Sequence, residues 1–364
     1  YKPTSSRCHT MIDPAPERVP VQIITGFLGS GKTTLLNHLL KQPVAQSTAV
    51  IINEFGEIGI DHLLVETSTE EMIELNNGCI CCTIRGDLAD KLGSLAMWLD
   101  SGKLPPIEHV VLETTGLADP APIMHTLMTD PNLLNRYRLH GVVTVVDAII
   151  GSSSLDQHAE ARKQVAIADC LMLAKKDLVE THSDWHAYDN LKSRVRHINP
   201  RATIHEPEHG KIDANIIFSR YEENAENTFA NFSAWLDAAG ETDNHQDDHS
   251  HDHDHNHKHQ HAHGAAGITS FVVELDEPIE SDAFNEFLQQ LAIEFGEQIL
   301  RMKGILHVRD MPDRPAVIHG VQHVFFPITW LEHWPDDQRS SKLVFITQDL
   351  EPEQIRSRFR ERLS

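Results

Sequence analysis

The stretch Val21-Gln22-Ile23-Ile24-Thr25-Gly26-Phe27-Leu28-Gly29-Ser30-Gly31-Lys32-Thr33-Thr34 decides the fold. An apolar run, a glycine-rich turn and a Lys-Thr-Thr opening onto a helical pattern give strand, phosphate-binding loop and helix in that order. Gly26, Gly29 and Gly31 let backbone N–H groups turn inward into a concave anion site, and Ser30 and Thr34 belong to the same cradle. Lys32 is placed to reach the β- and γ-phosphates, and the Thr33 hydroxyl is a ligand for Mg²⁺. A helix over Thr33–Lys41 points its positive dipole end at those phosphates. An ordinary glycine turn explains neither the strand before it nor the helix behind it. A bound nucleoside triphosphate explains both.

Outward from this loop, apolar runs alternate with amphipathic stretches. Strands are expected at 21–25, Thr48–Asn53, His109–Glu113, Val142–Asp147 and Cys170–Ala174. Near-continuous apolar strands separated by helical text imply a mostly parallel sheet covered by helices on both faces, with ligands at the strands' carboxyl ends. The expected class is therefore α/β, a P-loop NTPase, with a smaller C-terminal α+β domain. The expected divisions are a tail over 1–18, the P-loop domain over 19–236, a histidine-rich linker over 237–267 and the second domain over 268–364. In that last domain the pattern predicts a strand at Phe271–Leu275, a helix at Ser281–Phe295, strands near 304–309, 316–326 and 342–347, and a closing helix from Pro352.

With 364 residues the chain can bury two cores. A formal net charge of −23 argues against nucleic acid or an anionic membrane as a partner. No run approaches the roughly 18 apolar residues of a membrane span, and the first twenty residues lack the apolar segment of a secretory signal. A cytoplasmic location is expected. Three of the 5 cysteines, Cys79, Cys81 and Cys82, fall within four positions, which reads as metal binding rather than a disulfide framework.

The chemistry-bearing residues end or follow strands. Glu113, in Glu113-Thr114-Thr115-Gly116-Leu117-Ala118-Asp119-Pro120, is a carboxylate placed to hold Mg²⁺, and the Gly116 N–H can approach the γ-phosphate. Lys32, Thr33 and Glu113 are thus the catalytic candidates, acting by position and charge. Ala174-Lys175-Lys176-Asp177 follows another strand and resembles an Asn-Lys-x-Asp base-recognition loop. There Asp177 accepts hydrogen bonds from guanine and the Lys175 stem packs on the base. Ala174 stands where Asn is usual, so one supporting bond is missing, and guanine is favoured over adenine.

The loop between the second and third strands is some 55 residues long, far more than a crossover needs. It holds Asn53-Glu54-Phe55-Gly56-Glu57 and Cys79-Ile80-Cys81-Cys82. Thiolates favour Zn²⁺, Cu⁺ or Co²⁺ over Mg²⁺, and Glu57 or a histidine would complete a tetrahedral site. The tract from His245 to His263 contains nine histidines and alternates strictly through His249, His251, His253, His255, His257, His259, His261 and His263. It has nothing apolar to bury, and its imidazoles suit weak, exchangeable Zn²⁺, Ni²⁺ or Co²⁺ sites. A solvated linker is the plainer reading of the same tract.

Together, Ile23–Thr34, Asn53–Gly59, Asn77–Cys82 and Glu113–Pro120 resemble the CobW-type P-loop GTPase metallochaperones, a family that includes zinc-regulated GTPase metalloprotein activators. Lys303-Gly304 and His319-Gly320-Val321-Gln322 are similar to that family's C-terminal domain. The resemblance runs from residue 19 to 364. It implies slow, Mg²⁺-dependent hydrolysis of GTP, a transition metal (zinc above cobalt or nickel) bound through Cys81 and its neighbours with Glu57 as a further ligand, and delivery to a client metalloprotein. The oligomeric expectation is a monomer or a metal-dependent dimer. A cytosolic zinc store and a small-molecule kinase are the alternatives; the kinase leaves Cys79–Cys82 and Asp177 without a role.

Overall fold

A computed structural model describes residues 18–53, 72–74, 80–82, 88–182, 184–218, 267–325, 328–334 and 339–363. In chain order the first part contains strands β1 (Val19–Thr25), β2 (Thr48–Asn53), β3 (Met72–Glu74), β4 (Ile80–Cys82), β5 (His109–Thr114), β6 (Tyr137–Asp147), β7 (Cys170–Ala174) and β8 (Thr203–His205). The principal helices among them are α1 (Lys32–Leu39), α2 (Leu88–Asp100), α3 (Ala121–Thr129), α4 (Pro131–Leu134), α5 (Gly151–Gln157), α6 (Ala159–Ile167), α7 (Lys176–His182), α8 (Trp185–Ile198) and α9 (Asn215–Phe218).

The strands form one sheet in the order β3-β4-β2-β5-β1-β6-β7-β8. Every pairing is parallel except β3 with β4. Alternation of side chains sorts each strand's residues between two cores. Ile23, Ile51, Val110, Leu112, Leu171 and Leu173 join the face covered by α2, α3, α5, α6 and α8. Their neighbours Ile24, Val50, Val111 and Met172 join the opposite face with Leu35, Leu36 and Leu39 of α1 and Phe218 of α9. Burial on both faces is why these strands are apolar at nearly every position.

The first part departs from the sequence reading at β6 and in the loop after β2. β6 starts at Tyr137, five residues before the expected Val142, because polar Arg138 and His140 sit in a segment held by pairing Val19 with Tyr137 and Pro20 with Arg138. The long loop after β2 also contributes sheet: β4 lies parallel to β2 with Cys81 opposite Val50 and Cys82 opposite Ile51.

The second part is an antiparallel sheet of β9 (Ile268–Leu275), β10 (Ile299–Leu306), β11 (Ala316–Val321), β12 (Val324–Phe325), β13 (Thr329–Trp330) and β14 (Ser341–Gln348). Its order is β12-β11-β10-β14-β9, with β13 also pairing β11. Helices α10 (Ser281–Phe295) and α11 (Pro352–Leu363) cover one face. Phe284, Phe287, Leu288 and Leu291 follow helical spacing and bury that stripe against Phe271, Phe345 and Phe359. The other face packs on the first part, since Ile268, Leu300, Val321 and Ile346 belong to the core built around α3, α6 and α8. This double burial explains why β10 begins at Ile299, ahead of the expected 304. The expected strand 316–326 is broken at Gln322, whose φ of 53° turns the chain between β11 and β12.

Among the described residues no helix is long and apolar enough to cross a membrane.

Candidate functional site

The loop after β1 folds back over the carboxyl end of the sheet. Gly26 has φ 143°, and a Cβ there would lie 2.2 Å from the Val145 carbonyl oxygen, so only glycine fits. Gly29 and Gly31 also adopt positive φ, and Gly31 caps the amino end of α1. Lys32 Nζ donates to the carbonyls of Gly26 at 2.9 Å and Phe27 at 3.2 Å, curling the ammonium over the loop. Ser30 Oγ is buried, with no hydrogen-bond partner among the described residues.

Thr33 Oγ1 donates to Glu113 Oε1 at 2.8 Å, joining the first turn of α1 to the end of β5. Glu113 is buried. A hydroxyl and a carboxylate in contact beside a phosphate loop are hard oxygen donors of the kind Mg²⁺ prefers, and the set fits that ion. Next along, Gly116 presses on the loop from the other side: a Cβ there would meet the Leu28 backbone nitrogen at 2.6 Å. Gln164, fully buried on α6, holds this segment by donating to the carbonyls of Gly116 at 3.2 Å and Ala118 at 2.9 Å.

Lys175 has φ 65° and swings its Nζ onto the Gly29 carbonyl at 2.7 Å and Asp147 Oδ2 at 2.6 Å. The stem of this side chain is expected to pack on a base; its ammonium ties the phosphate loop to the end of β6. Asp147 Oδ1 in turn accepts from the N–H groups of Ile149 and Ile150 at 2.8 and 3.1 Å. Ala174 is buried beneath the loop, its Cβ 3.7 Å from the position a Cβ on Gly31 would take. Asp177, at the start of α7, lies 3.2 Å from His209 Nδ1. Thr34 touches the same turn, near Gly210.

Lys32, Thr33, Glu113, Gly116 and Lys175 therefore converge on one end of the sheet, with Asp177 and Thr34 beside the 208–211 turn. Asp147 is legible in the sequence as an acid ending an apolar strand, though without a role; Gln164 and His209 are not singled out there. The contacts of the other two span many residues: Gln164 reaches 46 and 48 residues back.

The metal candidates are placed less fully. Cys81 and Cys82 lie on β4, whereas Glu57, Cys79 and His249 to His263 lie outside the described residues. Among the described residues no three His, Cys, Asp or Glu are grouped to hold a metal ion.

Residues 20–206 match the CobW/HypB/UreG nucleotide-binding domain family, and residues 268–363 match the cobalamin synthesis protein cobW C-terminal domain. The chain belongs to the CobW/HypB/UreG family of P-loop GTPases. This CobW-family chain is 34% identical over 345 residues to the zinc chaperone YjiA of Escherichia coli K12, an alignment covering 94% of this chain and 98% of that one. It is 35% identical over 202 residues to the zinc-regulated GTPase metalloprotein activator 1 of Schizosaccharomyces pombe, covering 54% of this chain and 47% of that one. The crystal structure of Zn(II)-bound YjiA GTPase from E. coli superposes with TM-score 0.69 at 32% identity, covering 96% of this chain and all of that one.

Proposed function

We propose that this chain is a cytosolic GTP-switched zinc metallochaperone: it binds Zn²⁺ through Cys79, Cys81, Cys82 and Glu57 and hands it to a client metalloprotein when GTP is hydrolysed. The observation that carries the reading is the placement of β4. The thiol-bearing strand pairs with β2, and β2 pairs with β5, which ends in Glu113. One strand thus separates the cysteines from the Thr33–Glu113 pair, a spacing of about 10 Å. That intervening strand leads in sequence into Asn53-Glu54-Phe55-Gly56-Glu57, so the segment that carries Glu57 follows directly from a strand between the two sites.

In this reading the inward N–H groups of 26–31 and Lys32 bind the β- and γ-phosphates, and Gly116 senses the γ-phosphate through its N–H. Thr33 and Glu113 would hold Mg²⁺, which supplies charge neutralisation on the phosphates. Asp177 reads guanine, with Lys175 fixing the loop beneath it. The zinc names of relatives 34% and 35% identical favour zinc as cargo; cobalt and nickel suit the same donors. The histidine tract would raise the local metal concentration. Switching requires different metal affinities in the two nucleotide states, and a hundredfold difference corresponds to about 2.8 kcal/mol.

The test is Zn²⁺ affinity, by chelator competition, of metal-free full-length protein loaded with Mg²⁺ and either GDP or a non-hydrolysable GTP analogue. At least tenfold tighter binding in the triphosphate state is expected. Equal affinities would leave a zinc store whose nucleotide does not gate the metal.

A further inference from the structure

Each part of the molecule contributes an imidazole to one ring contact at their junction. His125 lies on α3, between the buried residues Met124 and Leu127. His323 lies in the tight turn between β11 and β12. That turn is fixed from two sides: the Gln322 N–H donates to the Ile299 carbonyl at 2.9 Å, and Gly296 packs so closely that a Cβ there would sit 2.7 Å from His323 Cβ. The ring centroids of His125 and His323 are 5.3 Å apart, with planes inclined at 54°.

Two inclined rings can pack at this separation, but it is also the separation expected of two imidazoles on one metal ion. With a Zn–N bond of about 2.1 Å and a ring centre about 1.2 Å behind the nitrogen, two imidazoles at a tetrahedral angle have centres about 5 Å apart. Thr129 Oγ1 donates to the His125 carbonyl at 2.9 Å and lies 3.4 Å from His125 Nδ1, so a hydroxyl stands behind one ring nitrogen. That leaves Nε2 as the nitrogen available to a metal. A hydroxyl or carbonyl behind the non-ligating nitrogen is the usual support of a metal-binding histidine.

We propose that His125 and His323 form a divalent-metal site bridging the two parts of the chain, selective for borderline cations that accept imidazole (Zn²⁺, Co²⁺ or Ni²⁺). No third His, Cys, Asp or Glu completes the set among the described residues, so water fills the remaining positions. Two protein ligands and open positions make a labile site, suited to passing metal rather than storing it. Because each part supplies one ligand, occupancy depends on the two remaining docked, and the metal in turn favours docking. The site draws on none of the residues assigned above to nucleotide or thiol-bound metal.

The test is a Zn²⁺ titration of the full-length protein carrying ¹³C-labelled histidine, followed by the Cε1–H resonances. His125→Gln and His323→Gln assign the two signals. In the wild type both signals should move together with a single apparent affinity, and each variant should weaken the response of the remaining histidine at least tenfold. The same response should persist in Cys81→Ser, which separates this site from the thiol site. Two signals that move with different affinities, or a His125 response unchanged by His323→Gln, would overturn the proposal. Unchanged positions of the other histidine signals before metal is added show that each variant is folded.

Discussion

Lys303 Nζ lies 2.7 Å from Asp169 Oδ1, across the junction between the parallel and antiparallel sheets. Arg301 reaches the same carboxylate oxygen and also the Ile167 carbonyl. The other oxygen of Asp169 accepts from the Val142 N–H at 3.0 Å. One carboxylate, just before β7, thus anchors β10 to the strand that leads into Lys175 and Asp177. Burial works to raise its pKa, but the Arg301 and Lys303 charges outweigh that and hold it well below the usual carboxylate range.

Asp169→Asn leaves two cations facing each other without their anion. Removing one partner of a largely desolvated pair typically costs about 3–5 kcal/mol, and partial exposure here brings the expectation to about 2–3 kcal/mol. Urea unfolding measures the loss. Protease sensitivity should rise with it, because the antiparallel sheet would undock more often; a variant as stable and as protected as wild type would show that the apolar junction alone suffices.

Acid should weaken the fold before the carboxylates titrate. Burial, then the Lys303 and Arg301 charges, push His319 down to about 3, against the partial counter-effect of Asp169. Burial, then Arg138 and His109, push His140 down to about 4. Both folded-state values lie below the unfolded one of about 6.5. Between the two values the unfolded chain binds protons that the native chain does not, so stability is full above about pH 6.5 and falls as pH drops. Each histidine should cost on the order of 1–2 kcal/mol at pH 5. Denaturant midpoints at pH 7 and pH 5 test this, and His319→Gln should narrow the difference between them.

Gly116→Ala places a methyl where the Leu28 backbone nitrogen stands 2.6 Å away. The phosphate loop must give way while the buried sheet beneath it does not. GTP affinity should fall at least about tenfold, or 1.4 kcal/mol, with little change in melting temperature. A fluorescent GTP analogue reads the affinity directly; an equal loss of thermal stability would mean that the strain spreads into the core instead.

On the proposed reading, in which Asp177 accepts from guanine's N–H groups, Asp177→Asn puts there a side-chain amide that can donate to the C2 oxygen of xanthine. Competition between GTP and XTP for binding should therefore shift toward XTP by about tenfold or more, equivalent to about 1.4 kcal/mol. On the same reading His209, 3.2 Å from this carboxylate, would yield to the base. An unaltered GTP preference would place base recognition elsewhere.

The readable parts of the chain were those governed by local rules. β2, β7 and the helix Ser281–Phe295 have the expected bounds because a doubly buried strand is apolar throughout, and an amphipathic helix repeats every three to four residues. The short strands β3, β4 and β8 carry too few residues to show a period, and they exist through pairing with neighbours distant in sequence. Arg138 and His140 hid the start of β6 for a related reason, since only its partner in β1 makes that polar segment a strand.

By itself, the sequence determined that a phosphate loop follows the first strand, that an acid ends another apolar strand, and that three cysteines and nine histidines are each clustered along the chain. Those facts are set by residue type and spacing along the chain. The tertiary structure alone decided that Lys175 ties Gly29 to Asp147, that Gln164 secures the Gly116 segment, that Asp169 joins the two sheets, and that His125 faces His323. Each of these brings together groups far apart in the chain, and the energy that does so comes from burying two sheets against shared helices. No pattern confined to a short window records that energy.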